Sequence, residues 1–277
     1  MESCQEERGA PIRGEALTSI NEHALQPTTA VEIRTLTELS EFDLCVEIET
    51  VVWGYDPGDL IPRRMFLLAS RIGGQVLGAY VDGTMAGFAM ALPGYRNGHP
   101  YLHSHMVGVL PQFRNLGLGR KLKLAQREDA LARGFELMEW TFDPLEIKNA
   151  HLNIARLGAI VRRYKRNFYG PSSSPLQGGL PTDRVYAEWW LRSKRVCNLL
   201  AGEQPGFEVL ERVNVPAEIY EWKASDAHRA EARRIQASNA TALENAFAHG
   251  HSALGYQTNA EGDGDFLLGV WDEALSY

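Results

Sequence analysis

The chain has 277 residues, 44% of them hydrophobic, enough to build one large packed domain or two ordinary ones. Lys and Arg number 28 against 35 Asp and Glu, a formal charge of −7 that leaves no cationic surplus for a nucleic-acid backbone. Cys4, Cys45 and Cys197 are odd in number and far apart, which argues against a disulfide framework and a zinc site and fits a reducing, cytoplasmic setting; no stretch approaches the ~20 apolar residues of a membrane span.

Residues 1 to 30 read as a flexible lead-in without the apolar core of a signal peptide. Alternation begins after Pro27: VEIRTL (31 to 36) suits a strand, and LTELSEFDLCVEIETVVW (36 to 53) places Leu36, Leu39, Leu44 and Ile48 near helical spacing. LIPRRMFLLASRIGG (60 to 74) reads as a second helix closed by glycines, and QVLGAYVDGTMAGFAMAL (75 to 92) as a hairpin about Asp82-Gly83. YLHSHMVGVL (101 to 110) is a strand running into VLPQFRNLGLGRKL (109 to 122), after which Leu118, Leu122, Ala125 and Ala132 mark one face of a helix ending before Gly134.

FELMEWTF (135 to 142) returns as a strand, PLEIKNAHLNIARLG (144 to 158) as a helix, AIVRRYKRNFYG (159 to 170) and RVYAEWWL (184 to 191) as strands. The order is β-α-α-β-β-β-α-β-α-β-β, an α/β (α+β) chain. From 195 to 277 the composition turns acidic, with EVLERVNVPAEIYEW, a helix over 226 to 250 and short strands ALGY and FLLGVW, which reads as a smaller C-terminal α/β extension subdomain. In that helix Ala227, Ala230, Ile235, Ala242 and Phe247 supply apolar surface for packing on the domain or on another subunit, so a homodimer stays open.

The stretch VLPQFRNLGLGRKL carries the most chemistry. A Walker loop needs Gly-Lys-Ser/Thr, and Gly119 is followed by Arg120-Lys121; a Rossmann fingerprint needs a third small residue where Leu122 stands. What remains, Val109-x-Pro111-x-x-Arg114-x-x-Gly117-x-Gly119-x-x-Leu122 between a strand and a helix, resembles motif A of the GNAT superfamily, the acetyl-CoA-dependent N-acyltransferases, over about residues 31 to 192. WTFDPL, NAxxN, LGA, YG at 169 to 170 and DR at 183 to 184 add a resemblance to an uncharacterised branch with a C-terminal extension.

The resemblance implies a GNAT domain over 31 to 194, a mixed, mostly antiparallel sheet flanked by helices, with the fourth and fifth strands splayed apart. It implies acetyl-CoA or another acyl-CoA as cosubstrate, its pyrophosphate on the loop Arg114, Asn115, Leu116, Gly117, Leu118, Gly119 and Arg120 at the helix start. Glycine at 117 and 119 admits the phosphates, and Asn115, where many members carry Gly, tolerates left-handed backbone. The pantetheine arm is expected along Met106, Val107 and Val109 like an added strand, with Asn149 or Asn153 of NAHLNIARLGA meeting it. Counted back from Gly158, the family's usual tyrosine acid is replaced by Ile154.

For the base, strand parity places His103 and His105 on one face with Val107 and Val109, and Glu139 and Asp143 on one face of the next strand. Structural roles compete: a satisfied strand histidine for the first pair, a helix N-terminal carboxylate for Asp143. Tyr164, ahead of Tyr169, is the acid closest to the missing tyrosine, or a half-buried strand anchor. Asp183 and Arg184 suit the amino and carboxylate groups of an amino-acid-like acceptor, or an ion pair pinning a loop, and RRYKR (162 to 166) a solvent-facing charge run. His249 and His251 lack neighbouring ligands, so no metal is expected. The expected activity is transfer of acetyl or another short acyl group to an amine of a small molecule, such as an amino acid, by direct attack in a ternary complex, with acceptor specificity set by loops 93 to 100 and 170 to 183 and no nucleic-acid or membrane partner. The alternative is a non-catalytic CoA-binding sensor or assembly module.

Overall fold

The structure, a computed structural model, describes residues 30–277; the lead-in and Cys4 otherwise lie outside the described residues. Strand β1 (Val31–Thr35) is followed by α1 (Leu39–Trp53), α2 (Arg63–Arg71), β2 (Gln75–Val81), β3 (Thr84–Arg96) and β4 (His99–Val109). Asp82 and Gly83 take φ of 48° and 80°, and Asn97 and Gly98 take 50° and 89°, the paired positive angles of type I′ hairpin turns. The Asn97-Gly98 turn draws most of the expected loop 93 to 100 into two long strands, and the Asn-Gly dipeptide was its signal in the sequence.

The Glu41 carboxylate starts α1 by accepting from the backbone N–H groups of Thr37 and Glu38, and left-handed Gly54 ends it. The buried stripe of α1 is Phe42, Cys45, Ile48 and Glu49, rotated from the expected one: Leu39 and Leu44 are 50% and 38% exposed, while Leu36 is buried ahead of the helix. This stripe and Phe66 of α2 pack on Phe88, Met90 and Met106, one face of the sheet.

α3 (Leu118–Ala132) covers the other face, Leu122 packing on Leu77, Ala89 and Val107. Then come β5 (Leu137–Phe142), α4 (Ile147–Ala150) running on into a π-helical segment His151–Arg156, β6 (Ile160–Lys165), β7 (Arg184–Trp190) and α5 (Lys194–Leu200). β8 (Glu211–Val215), α6 (Ile219–Ala224), α7 (Arg229–Ala248), β9 (His251–Thr258) and β10 (Gly264–Val270) complete the chain.

One ten-stranded sheet results, in the order β1-β2-β3-β4-β5-β7-β6-β9-β10-β8. The β4–β5 pair is parallel and meets only at Leu102–Met138 and His103–Glu139 before the strands part; the other pairs are antiparallel. This is the mixed, mostly antiparallel fold flanked by helices that the sequence led us to expect.

Residues 195 to 277 extend the same sheet. β9 pairs with β6 at Ala253–Val161, and Val161, Val185, Ala187 and Trp189 share one core with Val213, Leu243, Ala253 and Phe266. α7 buries Ala232, Ala240, Leu243 and Ala246 against this core, with Ile235, Ala242 and Phe247 at its margin and Ala227 and Ala230 exposed. Its apolar stripe is therefore spent within the chain. No helix among the described residues is long and apolar enough to cross a membrane.

Candidate functional site

The chain leaves β4 at Val109, makes a 3-10 turn over Pro111–Phe113 and starts α3 at Leu118. Between them Asn115 and Gly117 adopt left-handed backbone, with φ of 67° and 71°. The N–H groups of residues 115 to 120 find no acceptor among the described residues, and the helix closes with Lys121 N–H on the Gly117 carbonyl at 3.0 Å. A Cβ built at Gly117 or Gly119 meets nothing within 4 Å, so the space before both is open. Arg120 Nε is buried without a partner among the described residues, and Arg114, at the other end of the loop, is exposed. Successive unpaired N–H groups, a helix N-terminus and two guanidinium groups suit a diphosphate, so these residues fit the end of CoA that carries one.

β4 carries a bulge at its centre: Met90 pairs with Met106 and Ala91 with Ser104, leaving His105 unmatched. Ser104 Oγ donates to Gln126 Oε1 of α3 at 2.9 Å, and Val107 and Val109 also pack on the α3 side, whereas Met106 packs under α1 and α2. Ser104 and Val107 are three residues apart, so an unbroken strand would put them on opposite faces. At this bulge the histidines part from Val107 and Val109, with which an unbroken strand would have grouped them. His103 and His105 stay together, ring centroids 6.1 Å apart, while the valines line the other face.

Glu139 lies beside them, its side chain 3% exposed and held by Arg163 Nη2 at 2.6 Å and Arg96 Nη1 at 3.0 Å, with His103 Nδ1 at 3.8 Å. Burial pushes its carboxyl upward, but His103 and the two guanidinium groups outweigh that and hold it down at about 2. A carboxylate so held is an ionised anchor rather than a proton acceptor at neutral pH. Arg162 and Arg163 both reach Glu188, because a bulge between Val161 and Tyr164 turns the two to one side; with Arg166 on Glu244, most of the charge run is paired instead of solvated. Glu139→Gln is expected to cost about 3 kcal/mol at pH 7 by leaving the arginines short of a counter-charge. Since the folded value is depressed, the lost contribution is one present above the usual carboxylate range and fading as pH falls toward about 2, so melting temperature in acid should depend less on pH in the variant.

Asp143, Tyr164 and Asp183 belong to a different neighbourhood. The Asp143 carboxylate binds Lys223 Nζ of α6 at 3.0 Å and the Leu145 N–H at 2.9 Å. Tyr164 donates its hydroxyl to Asp183 at 2.6 Å, and Asp183 also accepts from the Asn167 N–H. Burial, then this carboxylate, push the phenol far upward. The expected base and acid are thus committed to tying the C-terminal segment and the 166 to 183 loop to the sheet, a geometry that does not suit proton exchange with a substrate.

Arg184 points elsewhere. It donates to the Asp183 carbonyl at 2.8 Å, lies 5.3 Å from the Tyr169 ring centroid and pairs with no carboxylate among the described residues. Tyr169 in turn meets Thr141 Oγ1 of β5 at 3.2 Å. Burial raises the Tyr55 phenol, and the Arg184 charge opposes that rise; Tyr55 stacks on Trp53, centroids 6.2 Å apart. Trp53 rests on Gly108 of β4, where a Cβ would come within 2.9 Å of the indole. Trp53 and Tyr55 were not singled out in the sequence, which marks them only as aromatics near an element end, whereas Tyr169 stood there as the second candidate acid.

Asn149 is exposed on α4, whereas Asn153 is buried in the π-helical turn with its side-chain amide bonded to no described residue. Ile154 is fully buried in the core. A further residue escaped the sequence reading: Lys123, 3% exposed on the inner face of α3 with Gln126 and Ala130, a cation at buried helical spacing. Among the described residues no group of three or more His, Cys, Asp and Glu has an arrangement to hold a metal; His249 bonds the Asn245 carbonyl and His251 pairs with Glu211. Cavities of about 710 and 370 Å³ lie at α6 and between α4 and the β9–β10 turn, away from the 115 to 120 loop.

The sequence profile of the acetyltransferase (GNAT) family matches residues 42–153, which span α1, the bulged β4, the 115 to 120 loop and the first part of the helix after β5. That stretch of the chain resembles the GNAT acetyltransferase family. Similar solved structures include the ribosomal-protein-S18-alanine N-acetyltransferase of Escherichia coli, 16% identical over 59% of this chain and 96% of that one, TM-score 0.48. Arabidopsis thaliana Naa50, in complex with the bisubstrate analogue CoA-Ac-MVNAL, is 14% identical over 57% of this chain and 97% of its own, TM-score 0.45. A GNAT family acetyltransferase from Elizabethkingia anophelis with acetyl-CoA bound is 12% identical over 60% and 99%, TM-score 0.42. No curated protein matches the chain.

Proposed function

We propose that this protein transfers an acetyl or other short acyl group from acyl-CoA to the amine of a small molecule, an amino acid being the acceptor class, by direct attack in a ternary complex. The observation that carries the reading is the run of unpaired N–H groups at residues 115 to 120, opening α3 after the end of β4 that has parted from β5. Bound acyl-CoA supplies an activated carbonyl with a thiolate as leaving group. The loop Arg114 to Arg120 would hold its diphosphate, and the edge of β4 past His103, freed from β5, offers Met106, Val107 and Val109 as main-chain partners for the pantetheine amides, with Asn153 and Asn149 following.

His105 is the base in this proposal. Burial, then the neighbouring His103, hold its imidazole below the ordinary value, so at neutral pH it keeps a free lone pair for the acceptor's proton. His103 of the same strand stands beside it and lies 3.8 Å from the ionised Glu139 of β5. Arg184, a cation without a carboxylate partner among the described residues, takes the acceptor's carboxylate, with Tyr169 and Tyr55 flanking it. His105→Gln should lower kcat by roughly 10²- to 10⁴-fold and abolish the acid limb of the kcat/KM profile, which in the native protein lies below the usual imidazole range.

Release of CoA thiol, followed with acetyl-CoA and succinyl-CoA against a panel of amino acids and of the same amines without a carboxylate, tests the assignment. Turnover that prefers the carboxylated amines and loses that preference in Arg184→Ala agrees with it; equal use of both sets overturns the amino-acid class. A second reading, a non-catalytic CoA-binding module, draws on fully buried Ile154 standing where the family's acid usually stands. Tight CoA binding without turnover on any amine decides for that reading.

A further inference from the structure

Lys123 lies four residues beyond Gly119, one turn into α3, and is 3% exposed. Its Nζ sits 3.4 Å from the Trp140 ring centroid, 6.0 Å from that of Trp189 and 4.0 Å from Met138 Sδ, and no carboxylate among the described residues pairs with it. These neighbours fix its place in the fold. Met138 belongs to one of the two residue pairs that join β4 to β5, and Trp140 is the next β5 residue on that face, just past the split. One turn further along α3, Gln126 holds Ser104, the first residue of β4 beyond the split. Lys123 therefore reaches from α3 to the apex of the opening between the strands.

An ammonium in such a place is costly, because an indole face returns only part of what desolvation takes. Burial accordingly holds this amine well below the usual lysine range. Such a group releases a proton readily to an acceptor that forms beside it. The usual place of a thiolate's proton donor holds Ile154, which has no hydroxyl, and the hydroxyls of Tyr164 and Tyr169 meet Asp183 and Thr141.

We propose that Lys123 meets the sulfur of CoA at the apex of the β4–β5 opening and protonates the departing thiolate. The inference rests on the acyl-CoA reading above. As the acceptor nitrogen bonds to the acyl carbon, the C–S bond breaks and its electron pair goes to sulfur. A Lys123 ammonium, charged by a proton from solvent, passes that proton to the sulfur and reverts to the free amine that its surroundings favour. The acceptor, in turn, sheds its two protons to His105 and solvent, so charge and protons balance.

The test is the pH profile of kcat in the native protein and in Lys123→Met, with binding of CoA and of desulfo-CoA, which lacks the sulfur, measured beside it. In the native protein kcat should fall as pH rises through the titration of Lys123, below the usual lysine range, and in Lys123→Met this basic limb should vanish. Desulfo-CoA should bind both proteins equally, which also reports that the variant is folded, and kcat should fall roughly 100-fold with KM for acyl-CoA unchanged. A native profile without a basic limb, or one that persists unchanged in Lys123→Met, overturns the role of Lys123. Equal loss of CoA and desulfo-CoA affinity in the variant also overturns it, marking a packing role. Failure of the native protein to bind CoA at all overturns the parent reading instead.

Discussion

Gly119→Glu should raise the Kd for CoA by roughly 100-fold or more while leaving the fold intact. The side chain would project into space that is open in the protein, with nothing within 4 Å of its Cβ, and the backbone at this position is not left-handed, so neither a clash nor strain threatens folding. What changes is the anion site: a carboxylate would stand among the N–H groups of residues 115 to 120, occupy them and repel a diphosphate. Losing two charge-assisted hydrogen bonds at about 1.5 kcal/mol each already accounts for a factor of order 100. Gly117→Glu is a poorer probe, because φ of 71° there would add backbone strain to the electrostatic effect. Calorimetric titration with CoA, alongside a melting curve, separates affinity from stability; unchanged affinity in a folded Gly119→Glu protein would remove the diphosphate from this loop.

Removal of residues 195 to 277 should abolish cooperative folding of the remainder. The truncation uncovers the faces of Val161, Val185, Ala187 and Trp189 that pack on Val213, Leu243, Ala253 and Phe266, and exposes β6 as an unpaired edge. Uncovering three or four such side chains costs about 1.5–3 kcal/mol each. Loss of Lys223 strands Asp143, buried with its counter-charge gone, for a further ~3–5 kcal/mol. Loss of Arg195 withdraws the guanidinium that bonds the Gly158 and Leu254 carbonyls. Together these match or exceed the typical ~5–15 kcal/mol stability of a whole domain. Urea unfolding followed by circular dichroism gives the answer: a truncated chain with the native midpoint would show the extension to be a separate unit after all.

Much of the architecture was legible because it rests on local rules. Asp82-Gly83 and Asn97-Gly98 can each form a tight left-handed turn wherever they stand, and the glycines at 117 and 119 after an alternating strand announce a backbone that must approach a ligand. Elements bounded by such signals kept their order in the folded chain. The rotation of α1 was harder to read, since leucines at 39 and 44 and apolar residues at 42, 45 and 48 offer two competing stripes. Only packing against Phe88 and Met90 chooses between them.

The site divides along the same line. By itself, the sequence determined the backbone of the candidate diphosphate loop, since a run of unpaired N–H groups at a helix start depends on a few consecutive residues and their φ angles. Only the tertiary structure decided which side chains stand at the opening between β4 and β5. A bulge at His105 turned the two histidines away from Val107 and Val109, Lys223 from 80 residues down the chain claimed Asp143, and Asp183 claimed Tyr164. Burial left Lys123 an amine without a carboxylate partner among the described residues. Protonation and orientation depend on charges and desolvation contributed by segments remote in sequence, and those exist only once the sheet has closed around them.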